Sequence, residues 1–462
     1  MAVRNRHDAL PAQSVQTEQD TSRDTPRDTP REFRRDSRRN MVAYIGDTSS
    51  FLGGMFFIPA TTVLVGLASA LTSDKALIGV VAMSWTVASS IPQLVAAKLV
   101  HGKRRQKPYV VVPSLIGRQT ILLFAVWLLV SNAQPPLLTL GLLIAAVVIF
   151  NIFDAITGIA WLDMINRNLT PRRRGRVIGT AQLLGSVLGI GSGLIVGRLL
   201  SPGGLPFPQN YAVIFICAWV GFMISLGFQF CLDENPMPEQ TVSASNDGTF
   251  SGHMLAALRT DAVFRRVLIA RVLTSIEAMA AAFYVVFIRE RLQLPDNSIG
   301  VFSVAFIAGG IVGVALLGPL AERAGARSVV HVAAALQAAA PLLAFVVAVV
   351  PGLIIPPALA YGLFIVILAI DGAVGRSTIL GFASYTIDHA PDRRRAIYVG
   401  VLNTLGGLVA LSPALGGVFL DAASRNHGTP TGYAIMFGAV ALCAALGAVI
   451  SFTLPRPAQH DA

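Results

Sequence analysis

The sequence predicts an all-α membrane protein with twelve transmembrane helices in two similar six-helix halves. Three observations carry that expectation. Apolar runs follow one another from Met41 to Leu454, each near or above the roughly 20 residues that cross a bilayer as helix. The loops between them alternate between strongly basic and nearly uncharged. Landmarks of the first half return in the second at one fixed spacing.

Composition supports the membrane class. Of 462 residues, 54% are hydrophobic and only 13% are charged, about half the roughly 25% usual in soluble domains. A net charge of +11 raises the question of a nucleic-acid partner. The basic residues lie instead at the ends of apolar runs, where lipid headgroups hold them, so the bilayer is the expected partner and nucleic acid is not. Cys217, Cys231 and Cys443 fall inside apolar runs and read as small buried hydrophobes, with no spacing for a metal or disulfide framework. The polar first forty residues, with Asp-Thr-Pro-Arg repeated at Asp24 and Asp28, lack the apolar core of a signal peptide. They read as a disordered tail.

The predicted spans, numbered 1 to 12, are 43–71, 76–100, 108–131, 136–165, 174–200, 210–232, 264–291, 297–322, 327–350, 356–386, 394–422 and 431–454. Residues 1–40 are then a tail, 41–232 the first bundle, 233–262 a linker, 263–454 the second bundle and 455–462 a second tail. One set of loops holds Lys103, Arg104, Arg105 and Lys107, then Arg167, Arg172, Arg173, Arg174 and Arg176. The same set continues with Arg259, Arg265 and Arg266, then Arg323 and Arg327, then Arg393, Arg394 and Arg395. The other set has only scattered cations: Lys75, Arg198, Arg289, Arg291 and Arg425. Basic loops stay in the cytoplasm, so both termini and the linker are expected there, in a plasma (inner) membrane.

The halves repeat. Gly79 and Gly300 correspond at an offset of 221 residues, and Pro171 and Pro391 at 220. Parallel six-helix repeats of this kind characterise many secondary transporters.

The turn between spans 8 and 9 reads Gly318-Pro-Leu-Ala-Glu322-Arg323-Ala-Gly325-Ala-Arg327. It resembles the signature Gly-x-Leu-Ala-Asp/Glu-Arg-x-Gly-x-Arg/Lys of the major facilitator superfamily. Gly325 permits a sharp turn and Gly318 a close helix approach. Glu322 can oppose the positive N-terminus of span 11; the resemblance implies a latch there that stabilises the outward-open state. The matching turn in the first half has Leu99 where the acidic residue belongs, which implies an asymmetric latch. Span 5 carries Gly185, Gly189 and Gly193, and span 11 carries Pro413, Gly416 and Gly417. These look like diluted forms of the family's antiporter motif, and their small side chains predict close helix packing.

Ionisable residues inside a bilayer are costly and tend to be functional. Here they are Asp47 (span 1), Arg118 (span 3), Asp154 (span 4), Arg271 and Glu277 (span 7), and Asp371 and Arg376 (span 10). The resemblance implies that spans 1, 4, 7 and 10 line a central cavity. Asn151, Asp154, Gly158 and Trp161 share one helical face and form a solute-binding wall. Glu277 and Asp371 lie near mid-membrane and are candidates to load and release a proton. Arg118 and Arg271 are expected to neutralise neighbouring carboxylates, and Arg376 to find a partner on another helix.

The expected function is therefore secondary active transport by a monomer, proton-coupled, with export of a hydrophobic or cationic small molecule as first choice. Proton-symport uptake of a sugar or other metabolite is the alternative, and a transport-inactive sensor or scaffold is a third class. No enzyme activity, cofactor or metal is expected. The paired Asp-rich motifs of intramembrane prenyltransferases and the GxxxxGK[ST] phosphate loop do not occur.

Overall fold

The computed structural model describes residues 37–100, 103–234, 258–292, 296–350, 355–391 and 395–456. The expected tail over 1–40, most of the linker 233–262, and most of the C-terminal tail lie outside these residues. Among the described residues, eleven helices are long and apolar enough to cross a membrane. One of them holds two crossings. Ser298–Val349 contains 52 residues, about 78 Å of helix against a hydrocarbon core of about 30 Å. The break is at Gly325, with φ +77° and ψ 169°, a conformation open to glycine without steric cost.

Packing shows the reversal. Gly309 and Gly313 of span 8 sit on Ala369 and Ala373 of span 10, so spans 8 and 10 run parallel. In span 9, Val329 and Val330 meet Gly381, while Ala344 and Val347 share a cluster with Ala360 and Phe364, so spans 9 and 10 run antiparallel. Twelve crossings follow.

Several spans are broken. Span 1 comprises Arg38–Met55, a wider turn Ala60–Leu64, and Val65–Leu71. Pro59 has no N–H to continue the ladder, and its carbonyl accepts from both Val63 and Leu64, at 3.0 and 3.2 Å. Its repeat partner, span 7, is likewise split into Ala262–Ser275, Glu277–Ala281 and Tyr284–Leu292. Span 2 is Lys75–Ser90 and Gln93–Val100, interrupted at Pro92; span 11 is Arg395–Val409 and Ser412–His427, interrupted before Pro413. The unbroken spans are Lys107–Ser131, Pro136–Asn168, Pro171–Leu199, Gln209–Phe230, Pro357–His389 and Thr429–Phe452. Spans 4, 10 and 11 run three to five residues beyond the apolar runs, because their polar ends continue as helix past the hydrocarbon.

The outer faces are apolar: Val130 is 78% exposed and Leu137 70%, which suits lipid rather than water as solvent. The cysteines depart from expectation. Cys231 is exposed, and Cys217 and Cys443 are half-buried, because they point outward from their helices rather than into the core.

The repeat in the sequence is a repeat of contacts. A Cβ on Gly79 would lie 2.3 Å from the Pro413 carbonyl oxygen, and one on Gly300 2.7 Å from that of Gly193. Gly193 and Pro413 are themselves 220 residues apart. Gly417 likewise abuts Lys75 and Ala76, as Gly197 abuts Asn297 and Gly300. Spans 2 and 11 thus meet across the seam between halves as spans 8 and 5 do, each pair held by small residues.

The two ends of this seam differ. Hydrogen bonds join the halves at the end away from the basic turns. They include Thr62–Ser303, Lys75–Glu290, Ala76–Asp421, and Arg289 to both Gly66 and Ser69. At the basic end, the first-half turn is tied within its own half. Arg167 donates to the Lys103 and Arg104 carbonyls at 3.3–3.4 Å and pairs with Asp163 at 2.5 Å, while the Gln106 N–H is capped by Glu234. Leu99, in the place of the missing acid, is 48% exposed.

Candidate functional site

Between the halves lies a cavity of about 580 Å³, within the range of small-molecule sites. Its walls come from span 1 (Asp47, Thr48, Phe51, Leu52), span 3 (Arg118), span 4 (Asp154, Thr157, Gly158, Trp161), span 5 (Gln182) and span 6 (Gln229). The second half adds only Val314 and Gly375. The small residues of span 5 let span 1 approach: Gly185 faces Leu52 and Gly189 faces Phe56, with no room for a Cβ at either.

Asp47 is the most heavily bonded group in this wall. Its Oδ1 accepts from Ser225 at 2.5 Å and Gln229 at 3.1 Å, and its Oδ2 from the Trp161 indole at 2.8 Å. Three donors offset the cost of burying a carboxylate. They also fix Trp161, whose ring meets Tyr44 edge-on at 5.5 Å.

Arg118 lies close enough to Asp47 and Asp154 to feel the charge of both, as expected, but makes no direct ion pair with either among the described residues. It donates to the Phe222 carbonyl at 2.6 Å and its guanidinium stands 5.5 Å from the centre of the Phe51 ring, a cation–π arrangement. A backbone carbonyl within reach satisfies it as well as a carboxylate would. Arg271 is also without a carboxylate partner among the described residues and lies 5.6 Å from the Phe382 ring centre. The side chain of Arg376 falls outside the described residues.

On span 4, Asp154, Gly158 and Trp161 line the cavity together. Asn151 does not join them: its amide turns back to the Val147 carbonyl, 2.8 Å away on the same helix. Asp154 is half-buried and makes no hydrogen bond or ion pair among the described residues. It is the carboxylate of this wall without a hydrogen bond, standing in the field of Arg118, with the hydroxyl of Thr48 and the amide of Gln182 as further polar groups.

Glu277 and Asp371 come together, but beside the cavity rather than in its wall. They are 5% and 9% exposed and close enough, with Tyr284, to feel one another's charge. Glu277 Oε1 and Asp371 Oδ2 lack a close hydrogen-bond partner among the described residues, and the Tyr284 hydroxyl stands against Glu277. Asp371 is one turn from Gly375 on the same face of span 10, so the pair adjoins the second-half wall of the cavity. At Ile276, immediately before Glu277, span 7 tightens into a narrower turn, the Met279 N–H donating to the Ile276 carbonyl at 2.8 Å, while the backbone stays helical.

The motif residues divide. Gly325 makes the turn, whereas Gly318 is exposed with nothing within 4 Å of a Cβ, so no helix approaches it. Glu322 and Arg323 are exposed and Arg327 is half-buried; the residues before span 11 that Glu322 was expected to meet lie outside the described residues. In the second half's seam, Gly416 packs on Met279 and Phe283 of span 7.

At the basic end of the second half, Asp261 joins three spans. It accepts from the Phe264 N–H at 2.9 Å and the Tyr398 hydroxyl at 3.0 Å, and His389 Nε2 lies 3.1 Å from it. Partial burial pushes its carboxyl up, but these partners outweigh burial and hold it below the usual carboxylate range.

Neutral polar residues were the ones that the sequence reading missed. Gln182, Thr48 and Thr157 carry no charge signal inside an apolar run. Ser225 and Gln229 do leave one trace, their four-residue spacing on span 6.

A sequence profile described as Major Facilitator Superfamily matches residues 46–409 and 267–462. No curated protein sequence matches the chain. Among solved structures, a point mutant of the nucleoside transporter NupG is similar at 15% identity and TM-score 0.65, covering 90% of this chain and 100% of its own. A bacterial homolog of the human lysosomal transporter Spinster, inward-facing and unoccupied, is similar at 14% identity and TM-score 0.59, covering 90% and 98%. An auto-inhibited POT family peptide transporter gives 10% identity and TM-score 0.64, covering 92% and 99%. At these identities the likeness is one of fold, and the profile match over nearly the whole membrane region decides the family: the chain belongs to the Major Facilitator Superfamily of membrane transporters.

Proposed function

We propose that this transporter exports a small hydrophobic or cationic organic solute in exchange for protons, by rocking its halves about the central cavity. It works as a monomer in the plasma (inner) membrane, with both termini and the linker 233–262 in the cytoplasm. In this reading the cavity opens inward, and the cross-seam bonds at Lys75, Ala76 and Arg289 hold the outer end.

One observation carries the reading: the Asp154 carboxylate, which makes no hydrogen bond among the described residues and feels only the charges of Arg118 and Asp47, beside the Trp161 and Phe51 rings in a largely apolar cavity. Asp47 is saturated by its donors, and Arg118 is engaged by a carbonyl and a ring. A solute cation at Asp154 shares its field with Arg118, and the Trp161 face adds about 0.5–2 kcal/mol for a desolvated one. Nucleosides and peptides are the cargo named for two of the similar structures, so fold alone selects no solute. A sugar is less well supported, because its many hydroxyls need more polar partners than this wall offers.

Glu277 and Asp371 take the proton. Two neighbouring carboxylates out of reach of water repel one another when both are charged, so the pair exchanges a proton as span 10 alternates. The test is pH-gradient-driven uptake of a lipophilic cation such as methyltriphenylphosphonium into everted vesicles. Asp154→Asn is expected to abolish it with normal protein levels; undiminished uptake by that variant would remove the reading.

A further inference from the structure

Resting on the alternating-access reading, we propose that the end opposite the basic turns is closed by an ionic lock of Lys75, Arg289, Glu290 and Asp421, whose release turns the cavity outward. The lock has three arms. In the first, the Lys75 ammonium, with its side chain only 8% exposed, pairs with Glu290, and the other Glu290 oxygen accepts from the Tyr433 hydroxyl at 2.9 Å. A cation of the first half is thereby held by spans 7 and 12 of the second.

In the second arm, Asp421 of span 11 accepts from the Ala76 N–H at 3.2 Å. Ala76 lies in the first turn of the helix that begins at Lys75, so a carboxylate of one half caps the positive N-terminus of a helix in the other. In the third, Arg289 donates to the Gly66 carbonyl at 3.0 Å and the Ser69 hydroxyl at 2.7 Å, and pairs with Asp296 at 3.0 Å. Span 7 thus grips span 1 beyond its broken segment.

The arms act as a unit. Lys75 and Ala76 are adjacent, as are Arg289 and Glu290, and Gly417 lies against the Lys75 carbonyl, so the backbones touch where the charges meet. Lys75 cannot leave Glu290 without water entering the seam, and a buried cation stripped of its partner is strongly unfavourable. The lock is therefore closed or open, and its strength sets the population of the two states.

The experiment reads accessibility rather than transport. In a chain with its three cysteines replaced, Ser303→Cys reports from the seam, where Ser303 is fully buried and 3.0 Å from Thr62 of the other half. A membrane-impermeant thiol reagent is applied to the outer face. Glu290→Gln with Asp421→Asn is expected to raise the labelling rate about tenfold. The exchange Lys75→Glu with Glu290→Lys, which restores opposite charges, is expected to return it towards the parent rate. An unchanged rate in the double variant, or no recovery in the exchange, overturns the lock. A chain that moves no solute still gives this readout, so failure of the export reading and failure of the lock are separate results.

Discussion

The same substitution, Gly→Ala, is expected to do opposite things at two positions with nearly the same clash. A Cβ on Gly417 would lie 2.1 Å from the Lys75 carbonyl oxygen, and one on Gly372 1.8 Å from that of Phe306. Both obstacles are backbone, so no side chain can swing away. Overpacking of this kind costs about 1–3 kcal/mol. Gly417 faces the other half across a seam that opens during the cycle, so its clash is relieved in the outward-open state. Gly372 faces span 8 inside its own half, and no step of the cycle relieves it. For Gly417→Ala a cost of about 2 kcal/mol is a roughly thirtyfold shift, turning a minor state near 1% into about a quarter of the molecules. Pulsed EPR distances between labels on Ser73→Cys and Asn426→Cys, exposed residues of the two halves at that end, would show a new, longer population. Gly372→Ala should leave the distances alone and lower the melting temperature instead. If Gly417→Ala only lowers the melting temperature, the seam is part of a rigid core and the rocking motion is wrong.

Glu277→Gln and Asp371→Asn, each alone, are expected to abolish proton-driven flux while solute still binds, since neither residue lines the cavity; equilibrium binding beside vesicle flux separates the two. Asp47→Leu leaves Ser225, Gln229 and Trp161 without their acceptor, at about 1–3 kcal/mol for each buried group so stranded; its thermal melt should fall well below that of Asp47→Asn, which keeps one oxygen. Asp261 is held below its ordinary range, so its contribution to stability is full above pH about 4 and is lost as pH falls through its lowered value. Melting temperature measured downward from pH 6 should drop more steeply in the parent than in Asp261→Asn.

Charges and glycines were legible in the sequence in proportion to how few ways each has of being satisfied. Gly325 had one use, a turn, and makes it. The Gly79–Gly300 correspondence was readable because a close backbone contact tolerates almost nothing else. Arg118 was read only in part, for the opposite reason: it does feel Asp47 and Asp154, but a guanidinium can be met by any carbonyl, and the Phe222 carbonyl that meets it belongs to a residue with no polar side chain. Asn151 failed likewise, since an amide in a helix can bond its own backbone four residues back. Helix periodicity placed it on the right face and could not say that it would turn away. Span irregularities were partly hidden too, because Pro59 and Pro92 announce themselves while the tightened turn at Ile276 does not.

The quiet loops hid more than the basic ones. Counting cations by side assigned Lys75 and Arg289 to background, although each has an acid close by in sequence, Asp74 for one and Glu290 for the other. Sparse charges at a membrane boundary with few lipid-facing roles have to find protein partners, and these find them across the seam. The two halves divide the work in the same terms. In the first, the buried Asp47 is saturated and Asp154, without a hydrogen bond, lines the cavity, which suits a wall that holds a solute and stays still. In the second, Glu277 and Asp371 are buried with unpaired oxygens beside a tightened turn of span 7, and the same span ends in the Arg289–Glu290 grip. A change of charge at that pair is therefore applied to the helix that carries the lock, so the half that makes the smaller contribution to the cavity wall is the one built to move it.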